Sequence, residues 1–182
     1  MNRPARPPHQ PLRPDLARRS ALLALLAAAA AGGTACDARP PAPTFEYTLL
    51  DGERGHTAAH RGKVLLVNFW ATSCATCVNE MPAIVAMHRK YRERGLETLA
   101  VSMRHDAPAA VADFAERRGL PFGVVIDHTG AIAEVFRDLQ ATPTTYLIDR
   151  NGALAWRYVG RPDFAALHDL VERLLAEGTT RA

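Results

Sequence analysis

The chain has 182 residues, a net charge of +3 and 23 % charged residues, enough for one domain of ordinary size. The positive charge sits in residues 1–35, which hold five arginines (Arg3, Arg6, Arg13, Arg18, Arg19) against Asp15; from Cys36 onward 17 basic residues face 18 acidic ones. No basic stripe with interleaved aromatics remains, which excludes a nucleic-acid partner.

The N-terminus reads as an address. A Pro- and Arg-rich stretch precedes eleven apolar residues, 21–31, then Gly32-Gly33-Thr34-Ala35 and Cys36. That order is the charged, apolar and small-residue layout of a secretory signal, assigned to residues 1–35. The apolar run is too short for the ~20 residues of a permanent membrane span. Apolar run, small residues and Cys36 together resemble a bacterial lipobox, although Gly33 stands where a large aliphatic residue is usual. The resemblance implies lipidation at Cys36 and a lipid anchor. Arg18-Arg19 weakly resembles a twin-arginine signal, and a generic basic leader describes it better. Residues 36–43 read as a Pro-rich, semi-rigid tether, leaving 44–182 as the folded domain.

Within that domain the pattern predicts a strand over 45–50, then a central strand over 64–70, V-L-L-V-N-F-W, apolar enough to be covered on both faces. A helix is expected over 75–94, with Cys77, Met81, Ile84, His88 and Tyr91 on one stripe, interrupted at Pro82 and stopped at Gly95. A strand over 96–103 follows, then a helix over 107–118 with Pro108 in its first turn. A strand over 122–127 and a short helix over 131–138 come next. Strands over 144–149 and 153–159 flank Asn151-Gly152, a hairpin signal, and a helix over 163–176 closes the order. Such alternation predicts an α/β sandwich, with parallel strands, helices on both faces and an antiparallel edge.

Cys74 and Cys77 fall where the central strand gives way to the first helix, and C-x-x-C in that setting reads as a thioredoxin-like redox motif. Unpaired N–H groups and the helix dipole stabilise an anion there, and the thiolate is the attacking species. With a pKa of ~8.5 about 3 % of a thiol is ionised at pH 7; at ~7 about half is, a change worth ~2 kcal/mol. Cys77, one turn on, is placed to resolve a mixed disulfide made by Cys74.

The segment F-W-A-T-S-C-A-T-C-V-N-E-M-P (69–82) resembles the active-site segment of the TlpA/ResA-like thiol-disulfide oxidoreductases, an exported branch of the thioredoxin superfamily. A-T-P-T-T-Y-L-I-D (141–149) resembles their cis-proline loop, and 107–127 resembles a helix-strand insert shared with peroxiredoxins. The resemblance implies a thioredoxin-like fold, a central mixed sheet flanked by helices, with an N-terminal strand extension. It implies a nucleophile at Cys74, a resolving thiol at Cys77, and partner contacts at Trp70, Thr142 and Pro143. Glu80, one turn past Cys77, would supply the carboxylate that cytosolic thioredoxins place in the strand, where Asn68 stands here. Ser73 replaces the usual Trp before the first cysteine, and Ala75-Thr76 lacks the common proline; both bear on partner contacts and redox potential.

The implied activity is reduction of protein disulfides, such as those of apocytochrome c or copper-site assembly proteins, on the periplasmic side of the cytoplasmic membrane. A membrane electron donor would recharge the pair, and no cofactor beyond the Cys74–Cys77 disulfide is expected. Two other chemistries use the same cysteines. A Cu(I) carrier could hold the metal on two thiolates; zinc would need two further ligands, and the seven histidines form no metal pattern. A thiol peroxidase would have Thr three residues before its reactive Cys, where Ala71 precedes Cys74 and Cys74 precedes Cys77.

Overall fold

The computed structural model describes residues 39–178. The elements run β1 (Glu46–Thr48), β2 (Arg54–His56), β3 (Val64–Trp70), α1 (Ala75–Tyr91), β4 (Leu96–Ser102), α2 (Pro108–Arg118), β5 (Gly123–Ile126), α3 (Ala131–Val135), β6 (Thr144–Ile148), β7 (Leu154–Val159) and α4 (Phe164–Ala176). Five strands form one sheet in the order β5-β4-β3-β6-β7. β3, β4 and β5 are parallel, and β6 and β7 run antiparallel. This is the mixed α/β sandwich that the alternation predicts.

β3 is buried along its whole length because it lies at the middle of the sheet with both faces covered. Its alternate side chains divide the core. Val64, Leu66 and Trp70 pack with Cys77, Met81, Ile84 and Met87 of α1, Val111 and Phe114 of α2, and Leu167, Val171 and Leu174 of α4. Leu65, Val67 and Phe69 pack on the other face with Phe45, Ile132, Phe136, Tyr146 and Ile148. Asn68 shares the first face, so the one amide in this strand is aimed at α1.

Two expectations are corrected, and one strand is added. Residues 39–43 are part of the domain rather than a free tether: Arg39 pairs with Asp149 and Glu177, Leu154 N–H donates to the Pro40 carbonyl, and Ala42 N–H to that of Gly152. α1 runs unbroken through Pro82, which sits on its exposed side, and ends in a 3-10 turn before Gly95 at φ 101°. The strand β2 has no apolar alternation to announce it. It pairs with β1 as a separate two-stranded sheet, and the Tyr47 ring lies where a side chain on Gly55 would be. Among the described residues, no helix is long and apolar enough to cross a membrane. Cys36 and the leader lie outside the described residues.

Candidate active site

The site forms where β3 ends. A turn follows Trp70, closed by Cys74 N–H donating to the Ala71 carbonyl at 3.1 Å, and Cys74 is the N-cap of α1. Cys74 has extended backbone angles, so its side chain folds back over the first helical turn and its sulfur meets Cys77 N–H at 3.2 Å. An unpaired helical N–H aimed at a sulfur is what a thiolate needs. The two cysteines are joined as a disulfide with Cα atoms 5.2 Å apart. Their environments differ: Cys74 is half-buried, whereas Cys77 is 0 % exposed in the apolar core.

The second wall is the loop before β6. The Thr142–Pro143 bond is cis, and the Thr142 carbonyl oxygen lies 3.7 Å from the Cys74 sulfur. Thr144 Oγ1 donates to the Ala141 carbonyl and Gly160 N–H to the Pro143 carbonyl, tying the loop to both strands at the open end of the β6–β7 hairpin. Thr142 therefore stands against the disulfide, with Pro143 next to it in the loop. Trp70, expected among the partner contacts, lies in the core instead. It is 0 % exposed, with its ring 4.9 Å from that of Phe114, because position 70 points to the same covered face as Val64 and Leu66.

Behind the disulfide is a buried polar cluster. Glu80 is 0 % exposed and lies one turn beyond Cys77 on the buried side of α1. Asn68 Nδ2 donates to Glu80 Oε1 and to Thr145 Oγ1, both at 3.0 Å. Among the described residues, Glu80 Oε2, Asn68 Oδ1 and Trp70 Nε1 have no hydrogen-bond partner. Burial pushes the Glu80 carboxyl up to about 7, against the bond from Asn68 and the positive charge of Arg161, which pull it down. The position is thus poised to hold or release a proton near neutral pH.

Residues that the sequence gave no reason to single out also appear. Thr145 opposes Asn68 across the β3–β6 ladder and takes one of its two amide protons. Asp106, from the β4–α2 loop, accepts from the Thr72 N–H and hydroxyl two residues before Cys74. Regular alternation in β6 could have placed Thr145 opposite Asn68; no local signal links Asp106 to Thr72, 34 residues away. Among the described residues, no cluster of three or more His, Cys, Asp or Glu side chains is arranged to hold a metal ion.

Residues 39–157 match the AhpC/TSA family. The chain belongs to that family. Its ResA-like character is shown by relatives: it is 31 % identical over 133 residues to the thiol-disulfide oxidoreductase ResA of Bacillus anthracis, covering 73 % of this chain and 76 % of ResA. To the ResA of Geobacillus kaustophilus it is 39 % identical over 111 residues, 61 % of this chain and 63 % of that one, so the match spans a little under two thirds of that relative. A thiol:disulfide interchange protein of the thioredoxin family from Chlorobium tepidum superposes with a TM-score of 0.70 at 25 % identity, over 78 % of this chain and 99 % of that one. The AhpC/TSA chain described here thus has a thioredoxin-like fold, with a cysteine pair at the end of its central strand.

Proposed function

We propose that the protein is a thiol-disulfide oxidoreductase that reduces disulfides in partner proteins. The observation that carries this reading is the asymmetry of the pair: a half-buried Cys74 at a helix N-terminus, facing a backbone N–H, and a fully buried Cys77. The relatives named ResA support the same activity.

The reaction needs two thiols and no bound cofactor. The Cys74 thiolate attacks one sulfur of the partner disulfide, forming a mixed disulfide and releasing one partner thiolate. Cys77 then gives up its proton and attacks the Cys74 sulfur. The Cys74–Cys77 disulfide forms, the second partner thiol leaves, and two electrons have passed to the partner. Burial holds a thiol protonated, so the second step needs a base, and Glu80 takes that proton. Thr142 and Pro143 offer the backbone against which the partner segment lies, beside the Cys74 sulfur.

The leader and Cys36 extend the proposal to the cell: export, lipidation at Cys36, and work on the periplasmic side of the cytoplasmic membrane. A membrane dithiol donor reduces the pair again, and partners of the apocytochrome c or copper-site assembly class fit the family resemblance. Two acyl chains or more anchor a protein stably, whereas one binds marginally. The wild-type protein is therefore expected in the membrane fraction with a diacylglyceryl mass at its N-terminus; a soluble product with an unmodified N-terminus would remove the anchor. The activity itself is tested by insulin-disulfide reduction, expected in the wild type and abolished by Cys74→Ser.

A further inference from the structure

The sheet alone does not explain how the turn carrying Cys74 is held. The β3–β4 ladder ends at Trp70 and Ser102, with one further bond from Met103 N–H to the Trp70 carbonyl at 3.1 Å. The chain then leaves the sheet at Ala71 and must arrive at Cys74 in the orientation that caps α1. What reaches this stretch is Asp106. Its Oδ2 accepts the Thr72 N–H at 2.8 Å and its Oδ1 the same N–H at 3.1 Å; Oδ1 also accepts the Thr72 hydroxyl at 2.8 Å, and Oδ2 the Ser102 hydroxyl at 2.9 Å. Asp106 is 7 % exposed, and its own N–H closes a turn onto the Met103 carbonyl.

Two features set this carboxylate apart from an ordinary loop brace. First, it takes both donors of a residue two positions before Cys74, so it fixes the turn rather than the sheet. Second, its partners are hydroxyls and an amide. Among the described residues no ion pair reaches it, and the charged neighbours in its own loop, Arg104 and His105, are exposed. A largely buried negative charge without a paired cation therefore sits beside the stretch that presents the nucleophile. Thr72 and Cys74 are two Cα steps apart, ~7 Å at most, so the carboxylate is anchored on the same turn that carries the nucleophile.

We propose that Asp106 is a positioning residue for the redox centre, whose hydrogen bonds to Thr72 set the turn that carries Cys74 and whose charge restrains the ionisation of that thiol. The proposal rests on the thiol-disulfide reading above. A negative charge near Cys74 disfavours the thiolate, destabilises the reduced form and so makes the pair a stronger reductant. The N–H of Cys77 acts in the opposite sense, and the balance of the two sets the poise.

Asp106→Asn separates charge from geometry. With its oxygen in the place of Oδ2 the amide still accepts from Thr72 N–H and the Ser102 hydroxyl, and its N–H group faces the Thr72 hydroxyl, which rotates to accept. In a Cys77→Ser background, thiolate absorbance should show Cys74 ionising at a pH lower by about half a unit or more, threefold or more in the ionisation constant. With both cysteines present, the equilibrium with glutathione should move about threefold or more toward reduced protein. Asp106→Ala also frees the turn and should slow mixed-disulfide capture by Cys74 about tenfold. Should Asp106→Ala not fold, Thr72→Val removes one of the bonds and should slow capture in the same direction. An Asp106→Asn protein within twofold of wild type in both redox readouts, or shifted toward the oxidised form, overturns the proposal, and a loss of thermal stability alone would reduce Asp106 to a structural brace. Cys74 ionisation is read without any substrate, so a wild type that fails to reduce insulin would sink the activity and leave this test standing.

Discussion

Replacing Glu80 by Gln should change how stability depends on pH. In the oxidised protein the carboxyl is raised from 4.5 to about 7, chiefly by burial. The folded chain therefore keeps a proton that the unfolded chain has already lost. The stabilisation from the neutral carboxyl is complete below pH ~4.5 and is lost as pH rises through about 7. That elevation corresponds to roughly 3 kcal/mol in total, of which roughly 2–3 kcal/mol falls between pH 5 and 8. E80Q retains the acceptor for Asn68 and the shape but cannot ionise. Urea unfolding of both oxidised proteins across pH 5 to 8 should show the wild type losing stability relative to E80Q by that amount. The buried or half-buried histidines His60, His88 and His168 titrate with lowered pKa in both proteins, and their opposite slope cancels in the difference. Insulin reduction by E80Q should be slower, with its pH profile displaced. Parallel stability curves, within about 0.5 kcal/mol at every pH, together with unchanged turnover, would refute a buried proton-holding role for Glu80.

Asn68→Ala removes the bond that holds the Glu80 carboxyl down, so its pKa should climb further and the pH profile of disulfide exchange should move upward, with ~1–3 kcal/mol lost for the polar groups left unpaired. Trp70→Ala empties a fully buried site against Phe114 and should cost ~3–5 kcal/mol in denaturant unfolding, while a Cys74 that still captures partners would confirm that Trp70 acts through the core.

The parts of the fold legible in the sequence were those written in local periodicity. The all-apolar 64–70 run declared a doubly covered strand, and the 77-81-84-88-91 stripe declared the buried side of α1. Cys74 and Cys77 were legible because a strand-to-helix junction is itself a local pattern. Glu80 could be placed one turn from Cys77, but whether it was solvated or buried depended on Asn68, which faces it from another element. Trp70 was misplaced for the same reason: its side of β3 is set by α1, α2 and α4 packing together, not by its neighbours in the chain. β2 was invisible because R-G-H carries no alternation, and its pairing depends on Tyr47 lying over Gly55. Asp106 was beyond reach, since only the β3–β4 register brings its loop to Thr72.

The central claim is that Cys74 attacks and Cys77 resolves. Capture of disulfide-bearing partners in cells by the Cys77→Ser and Cys74→Ser proteins, read as mixed disulfides on non-reducing gels, tests it most directly. Cys77→Ser should accumulate covalent complexes joined through Cys74, because the half-buried sulfur can attack and nothing resolves the product. Cys74→Ser should accumulate none, because Cys77 is enclosed in the core. Complexes formed by Cys74→Ser and absent from Cys77→Ser would contradict the account.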